Sequence, residues 1–231
     1  MRSKTNFDFR KEAAPDFNLS KGRGSDALWR FFKYIFAAIL LVGFTRVDAQ
    51  SLTNAPGQSV ETIVCIRHGE IPTNQLGQLN GRGLNRALAL PKVLLAKYGS
   101  PQFIFTCNPT QKLYGYYYVR PLATIEPTAI RCGLPVNTQF GFKEISGLET
   151  ELQKEQYANA TVFVAWEHTL LDHFVKQLVK TNGGNPQEVP DWPSGDFDTI
   201  FEVKIIRSEE RQSVVFTIDH EGLNNLSDIC P

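Results

Sequence analysis

The chain has 231 residues, enough for one good-sized domain and too few for two comfortable ones at roughly 100 to 200 residues each. Its composition, 42% hydrophobic and 21% charged, excludes collagenous, low-complexity and multi-span membrane classes. Residues 1–49 hold nine of the 24 Lys and Arg and five of the 24 Asp and Glu; the remainder carries 15 basic against 19 acidic residues, a net charge of −4. That balance argues against a nucleic-acid partner, which calls for a basic face.

Residues 1–29 read as a basic leader. The apolar run that follows, residues 34–44, is 11 residues long, short of the ~20 of a spanning helix and within the ~7 to 15 of a signal-peptide core. Arg30 and Lys33 precede it, and "VDA" (47–49) offers small residues at both positions that define cleavage. Residues 30–49 are therefore expected to be a secretory signal cleaved after Ala49, making the protein exported, periplasmic or secreted. The alternative is an uncleaved anchor with its basic side in the cytoplasm, which would be the chain's one attachment to a membrane. "SLTNAPGQS" (51–59) reads as a linker, spanning residues 50–59 in all, and the folded domain is expected over 60–231. No Cys-x-x-Cys pair is present, which argues against a structural zinc site. Cys65 lies in a buried-looking strand, and Cys107, Cys132 and Cys230 allow at most one disulfide.

Three runs without polar alternation, "TIVCI" (62–66), "FIFT" (103–106) and "TVFVAW" (161–166), have the pattern of strands buried on both faces of a parallel sheet. Between them lie helical patterns. "GLNRALALPKVLLAKYG" has Leu84, Leu88, Val93 and Leu94 or Leu95 at near-helical spacing, with Asn80 to cap it, Gly99 to stop it and Pro91 to kink it. A second helix opens at Arg120-Pro121, and Pro127 is expected to bend or end it. A third covers residues 148–157. A fourth follows His168, with Leu170, Leu171, Phe174, Val175, Leu178 and Val179 on one face. The tail, "TIFEVKII" and "SVVFTID" around a polar turn, reads as an antiparallel edge hairpin. The fold class is thus α/β: a three-layer sandwich with a mostly parallel sheet and helices on both faces.

Open parallel sheets bind ligands outside the carboxyl ends of their strands. Here those ends carry Arg67 and His68 after the first strand, and Glu167 and His168 after the third; the loop after the second leads to Arg120 at a helix start. Two arginines, two histidines and free helix amides suit a phosphoryl group, because arginine grips phosphate oxygens in bidentate fashion and helix N-termini add donors. A neutral histidine can also serve as a nucleophile that takes the phosphoryl group. The leaving alkoxide needs an acid, and Glu167 is the first candidate.

"IRHGE" resembles the Arg-His-Gly signature of the histidine phosphatase superfamily, which includes phosphoglycerate mutases, acid phosphatases and phytases. "LNGRGLNRALAL" (79–90), "RPLAT" (120–124) and "VFVAWEH" (162–168) are similar to the family's first helix, its second arginine with a threonine four residues on, and the strand that bears its second histidine. The resemblance implies that His68 is the phosphorylated nucleophile, that Arg67, Arg120 and His168 bind substrate, and that no metal or diffusible cofactor is needed. It leaves the acid open: Glu167, or Glu144 or Glu149 by analogy with the mutase-like branch, since Thr169 stands where the phytase-like branch has an aspartate. The expected activity is an exported phosphomonoesterase acting on a small phosphorylated substrate. The alternative is a phosphate-ester or phosphoprotein binding module with little turnover. His173 reads as solvated and His220 is given no role; Arg82 and Arg86 read either as flanking the pocket mouth or, in preference, as solvating a helix face, and the tyrosine-rich "YGYYY" (114–118) reads either as lining the substrate entrance or as packing on the core.

Overall fold

The structure, a computed structural model, describes residues 57–231. The expected leader, signal segment and most of the linker lie outside the described residues, and none of the described helices is long and apolar enough to cross a membrane. Each uninterrupted apolar run is a strand: β1 (Ser59–Arg67), β2 (Phe103–Thr106) and, later in the chain, β6 (Thr161–Trp166). Between β2 and β6 come the short β3 (Lys112–Leu113), β4 (Tyr116–Tyr117) and β5 (Val136–Asn137), and the tail forms β7 (Thr199–Arg207) and β8 (Gln212–His220). The six-stranded sheet runs β5-β2-β6-β1-β7-β8. β5, β2, β6 and β1 are parallel; β7 and β8 add an antiparallel hairpin on the β1 side.

Four helices cover the two faces: α1 (Gly81–Tyr98), α2 (Arg120–Cys132), α3 (Ile145–Leu152) and α4 (His168–Thr181). Because side chains alternate along a strand, Val64 and Ile66 of β1 pack with Leu90, Leu94, Ile125 and Ala129 of α1 and α2. Ile63 and Cys65 pack with Leu148, Leu171, Phe174 and Val175 of α3 and α4. A strand walled on both sides in this way has no use for polar alternation, which is why β1, β2 and β6 read as continuous apolar runs.

Three local expectations change. The apolar stripe of α1 is out of phase with the one expected: Leu84 and Leu88 are exposed, and the buried face runs through Gly83, Arg86, Ala87, Leu90, Pro91 and Leu94. Gly83 on that face is packed closely, since a Cβ there would stand 2.3 Å from the carbonyl oxygen of Glu70. α2 continues past Pro127 to Cys132, held by burial of Ile125, Thr128 and Ala129, and stops at Gly133 (φ 66°). The third helix is shorter than expected and is followed by a separate 3₁₀ turn, Glu155–Tyr157. All four cysteines are free.

Candidate active site

The chain leaves β1 toward α1 on one face and leaves its neighbour β6 toward α4 on the other, so a crevice opens where the two carboxyl ends diverge. His68 sits at that point, its backbone N–H donating to the Trp166 carbonyl at 3.0 Å. Its Nδ1 lies 2.8 Å from the Gly69 carbonyl. A carbonyl oxygen only accepts, so Nδ1 carries the proton and Nε2 keeps its lone pair. The ring is 2% exposed. Burial drives its pKa down to about 3, helped by the nearby Arg120 and Arg67 cations, so the imidazole is neutral.

Arg67 and Arg120 are both 5% exposed. Arg67 donates from Nη1 to the carbonyls of Ser194 (2.7 Å) and Asp196 (2.8 Å), and its guanidinium lies 3.9 Å from the Phe197 ring centroid. Desolvation lowers its pKa to about 10, still well above neutrality. Arg120 opens α2 beside Pro121, and its guanidinium lies over the Tyr118 ring at 4.5 Å. It meets no carboxylate and no acceptor among the described residues, and the Nε atoms of both arginines are buried without a partner. The four-residue step from Arg120 to Thr124 has a physical reason: the Thr124 hydroxyl donates to the Arg120 carbonyl (2.8 Å) and accepts from the Gly69 N–H (2.9 Å). One side chain thus rivets the first turn of α2 to the loop behind His68.

Glu167 caps α4, its Oε2 accepting from the Leu170 N–H at 3.0 Å. Its Oε1 is 2.6 Å from His168 Nδ1 but without hydrogen-bond alignment, and the contact is an ion pair only when His168 is protonated. Burial and then Arg67 lower the His168 pKa.

Arg67, His68, Arg120, Glu167 and His168, all named from the sequence, line one cleft of about 370 Å³, together with Tyr118. Glu144 is exposed in an adjoining cavity, where its Oε2 accepts from the Gly141 N–H. Glu149 instead faces Thr181 at the far end of α4, outside the cleft. The tyrosine-rich segment divides between the two expected uses. β3 and β4 form a hairpin whose turn, Tyr114-Gly115, has φ of 53° and 87°. That turn holds Tyr114 at the mouth of the cleft, while Tyr118 is 1% exposed and meets the His68 ring edge-on at 6.1 Å.

Sequence reasoning missed two contributors. Phe197 packs on Arg67 and lies 6.2 Å from the His68 ring. Arg86, expected to be solvated, is fully buried beneath the loop, gripping Glu70 with two bonds (3.0 and 2.8 Å) and Glu221 with a third (2.5 Å), with Asp198 at 3.5 Å. Glu70 therefore serves Arg86, not Arg67. Arg82 behaves as expected, in an exposed pair with Asp228, and His173 and His220 are exposed. Among the described residues no group of three or more His, Cys, Asp or Glu is arranged to hold a metal.

No protein-family model and no curated protein matches the chain in sequence. Solved structures do match in shape. A mycobacterial glucosyl-3-phosphoglycerate phosphatase is 14% identical with a TM-score of 0.50, over 68% of this chain and 97% of that one. A candidate phosphohistidine phosphatase from Nakamurella multipartitia is 16% identical (TM-score 0.48; 70% and 96%). A phosphoglycerate mutase from Plasmodium falciparum is 12% identical (TM-score 0.44; 75% and 94%). At these identities the likeness is one of fold, and the chain has the histidine phosphatase fold.

Proposed function

We propose that the protein is an exported phosphomonoesterase that hydrolyses a small phosphate ester through a phosphohistidine on His68. The observation that carries this reading is the pairing, in one cleft, of a buried Arg120 guanidinium that has no protein acceptor with a neutral His68 whose Nε2 lone pair is unused. A site for binding alone would need the cation but not the tautomer. The histidine phosphatase fold and the phosphatase among its structural relatives point the same way.

In this mechanism Nε2 of His68 attacks phosphorus, and the bond from phosphorus to the ester oxygen breaks. Arg67, Arg120 and His168 hold the phosphoryl oxygens and stabilise their charge in flight. Glu167, among the described residues the one carboxyl group lining the cleft, gives a proton to the leaving oxygen; Glu144, next door, is the runner-up. Water, giving up a proton to the Glu167 carboxylate, then attacks phospho-His68; the phosphorus–nitrogen bond breaks, phosphate is released, and both the neutral ring and the acid are restored. The chemistry closes on protein groups and water alone. Glu167's use as a helix cap keeps the binding-module reading in play.

The test is hydrolysis of p-nitrophenyl phosphate and a panel of sugar, nucleotide and amino-acid phosphates by wild type, His68→Ala, Glu167→Gln and Glu144→Gln. His68→Ala is expected to abolish turnover. Loss of the true acid is expected to lower kcat by about 10²- to 10⁴-fold for poor leaving groups and least for p-nitrophenol. Turnover that survives His68→Ala would sink the mechanism, and no turnover by wild type would favour the binding module. Sequencing the N-terminus of the exported protein tests export: a start at Gln50 supports a cleaved signal, and a start at Met1 contradicts it.

A further inference from the structure

The phosphoryl cleft adjoins a second cavity of about 510 Å³, with Leu113, Tyr118 and Phe142 common to the walls of both. A phosphate ester seated at His68 has only a few directions in which to extend, and this cavity lies along one of them. Its remaining lining includes Lys112, Lys143 and Glu144. We infer that the substrate's leaving group carries a second anionic group, a carboxylate or a second phosphate, which sits in this cavity against the ammonium groups of Lys112 and Lys143. The inference rests on the phosphomonoesterase reading above and supplies its substrate class: an ester whose body is apolar enough to lie on Leu113, Tyr118 and Phe142, with an anion at its far end.

Of the eight lysines in residues 57–231, Lys97, Lys154, Lys176 and Lys204 each meet a carboxylate, while Lys92 and Lys180 meet none among the described residues. Lys112 and Lys143 meet none among the described residues, although that part of the chain is acidic overall, and they come together in one cavity. Lys112 is also pre-positioned, its ammonium 4.9 Å from the Tyr117 ring centroid on the facing strand of the small hairpin. Glu144 opposes them, but one of its oxygens is taken by the Gly141 N–H, and two cations against one carboxylate leave the cavity net positive. The hairpin thus joins two tasks, since its β3 strand carries Lys112 and its turn carries Tyr114 at the mouth of the phosphoryl cleft.

The test separates ligand preference from turnover. Calorimetric affinities would be measured for three non-hydrolysable phosphonates: 4-carbamoylbenzylphosphonate, which is neutral at its far end, 4-carboxybenzylphosphonate, and p-xylylene bisphosphonate. Wild type is expected to bind at least one of the two anionic compounds about 1.5- to fivefold more tightly than the neutral one, the range of a solvent-accessible charge pair. The compound with the larger gain identifies the anion. In the Lys112→Met/Lys143→Met double variant the three affinities are expected to converge, and the preference in wild type is expected to shrink in about 1 M salt. Equal affinities in wild type, or a preference that survives the double variant, would overturn the inference whether or not the enzyme turns over. A preference lost in the double variant alongside a His68→Ala enzyme of undiminished activity would leave the anion site standing and remove the mechanism instead.

Discussion

At the scale of single residues, the site depends on one proton. The Gly69 carbonyl holds it on Nδ1 of His68, and burial keeps a second proton off the ring, so Nε2 stays available down to a pH where most histidines are charged. Imidazole nitrogen shifts followed by NMR are expected to show His68 as the neutral Nδ1–H tautomer from about pH 8 to about pH 5. A titration with its midpoint near the ordinary histidine value of about 6.5 would contradict the account. Arg67 and Arg120 differ in how they are held. Two main-chain carbonyls and the Phe197 ring fix Arg67, whereas Arg120 rests on the Tyr118 ring with its donors unspent.

At the scale of elements, the active loop between β1 and α1 is held from below by charge. Arg86 on α1 ties Glu70, next after Gly69, to Glu221 beyond β8 and to Asp198 just before β7. Removing the cation would leave three carboxylates facing one another with little or no access to water. Arg86→Met is therefore expected to cost about 3 to 5 kcal/mol, read as a fall in denaturation midpoint, with activity lost in parallel as the loop comes free. An unchanged midpoint would show that the network carries no stability. The same residue shows where legibility in the sequence ended. Strand cores and the ends of β1 and β6 could be read because burial on two faces and a polar stop are local signals. Arg86 looked like a solvated helix cation because its partner Glu221 lies 135 residues away, and only the folded chain brings them together. The loop that holds Arg67 was equally hidden: its acceptors are the carbonyls of Ser194 and Asp196, and every residue has a carbonyl. The phase of α1 was misread because its inward face carries Gly83, packed closely against Glu70, and Arg86 beside Leu90 and Leu94, while Leu84 and Leu88 turn outward.

At the scale of the whole molecule, buried titratable groups set how stability depends on pH. Glu61, fully buried beside Arg207, is pushed up to about 7 by burial. Its folded value exceeds the unfolded one of about 4.5, so between those two values the folded state holds a proton the unfolded state has lost, and stability falls as pH rises. His68 works in the other direction, since its folded value of about 3 lies below the unfolded 6.5 and stability falls as pH drops through that window. The thermal midpoint is therefore expected to be lower at about pH 8.5 than at about pH 5.5, and Glu61→Gln is expected to narrow the gap. A gap that is absent, reversed or indifferent to that substitution would contradict this assignment of charges. The central claim is that a phosphoryl group passes through His68, and the most direct test is to quench the enzyme during turnover of ³²P-labelled ester and locate the label. The account expects acid-labile, base-stable phosphate on the peptide that contains His68, absent from His68→Ala. Turnover without any phosphoenzyme, or label on another residue, would contradict it.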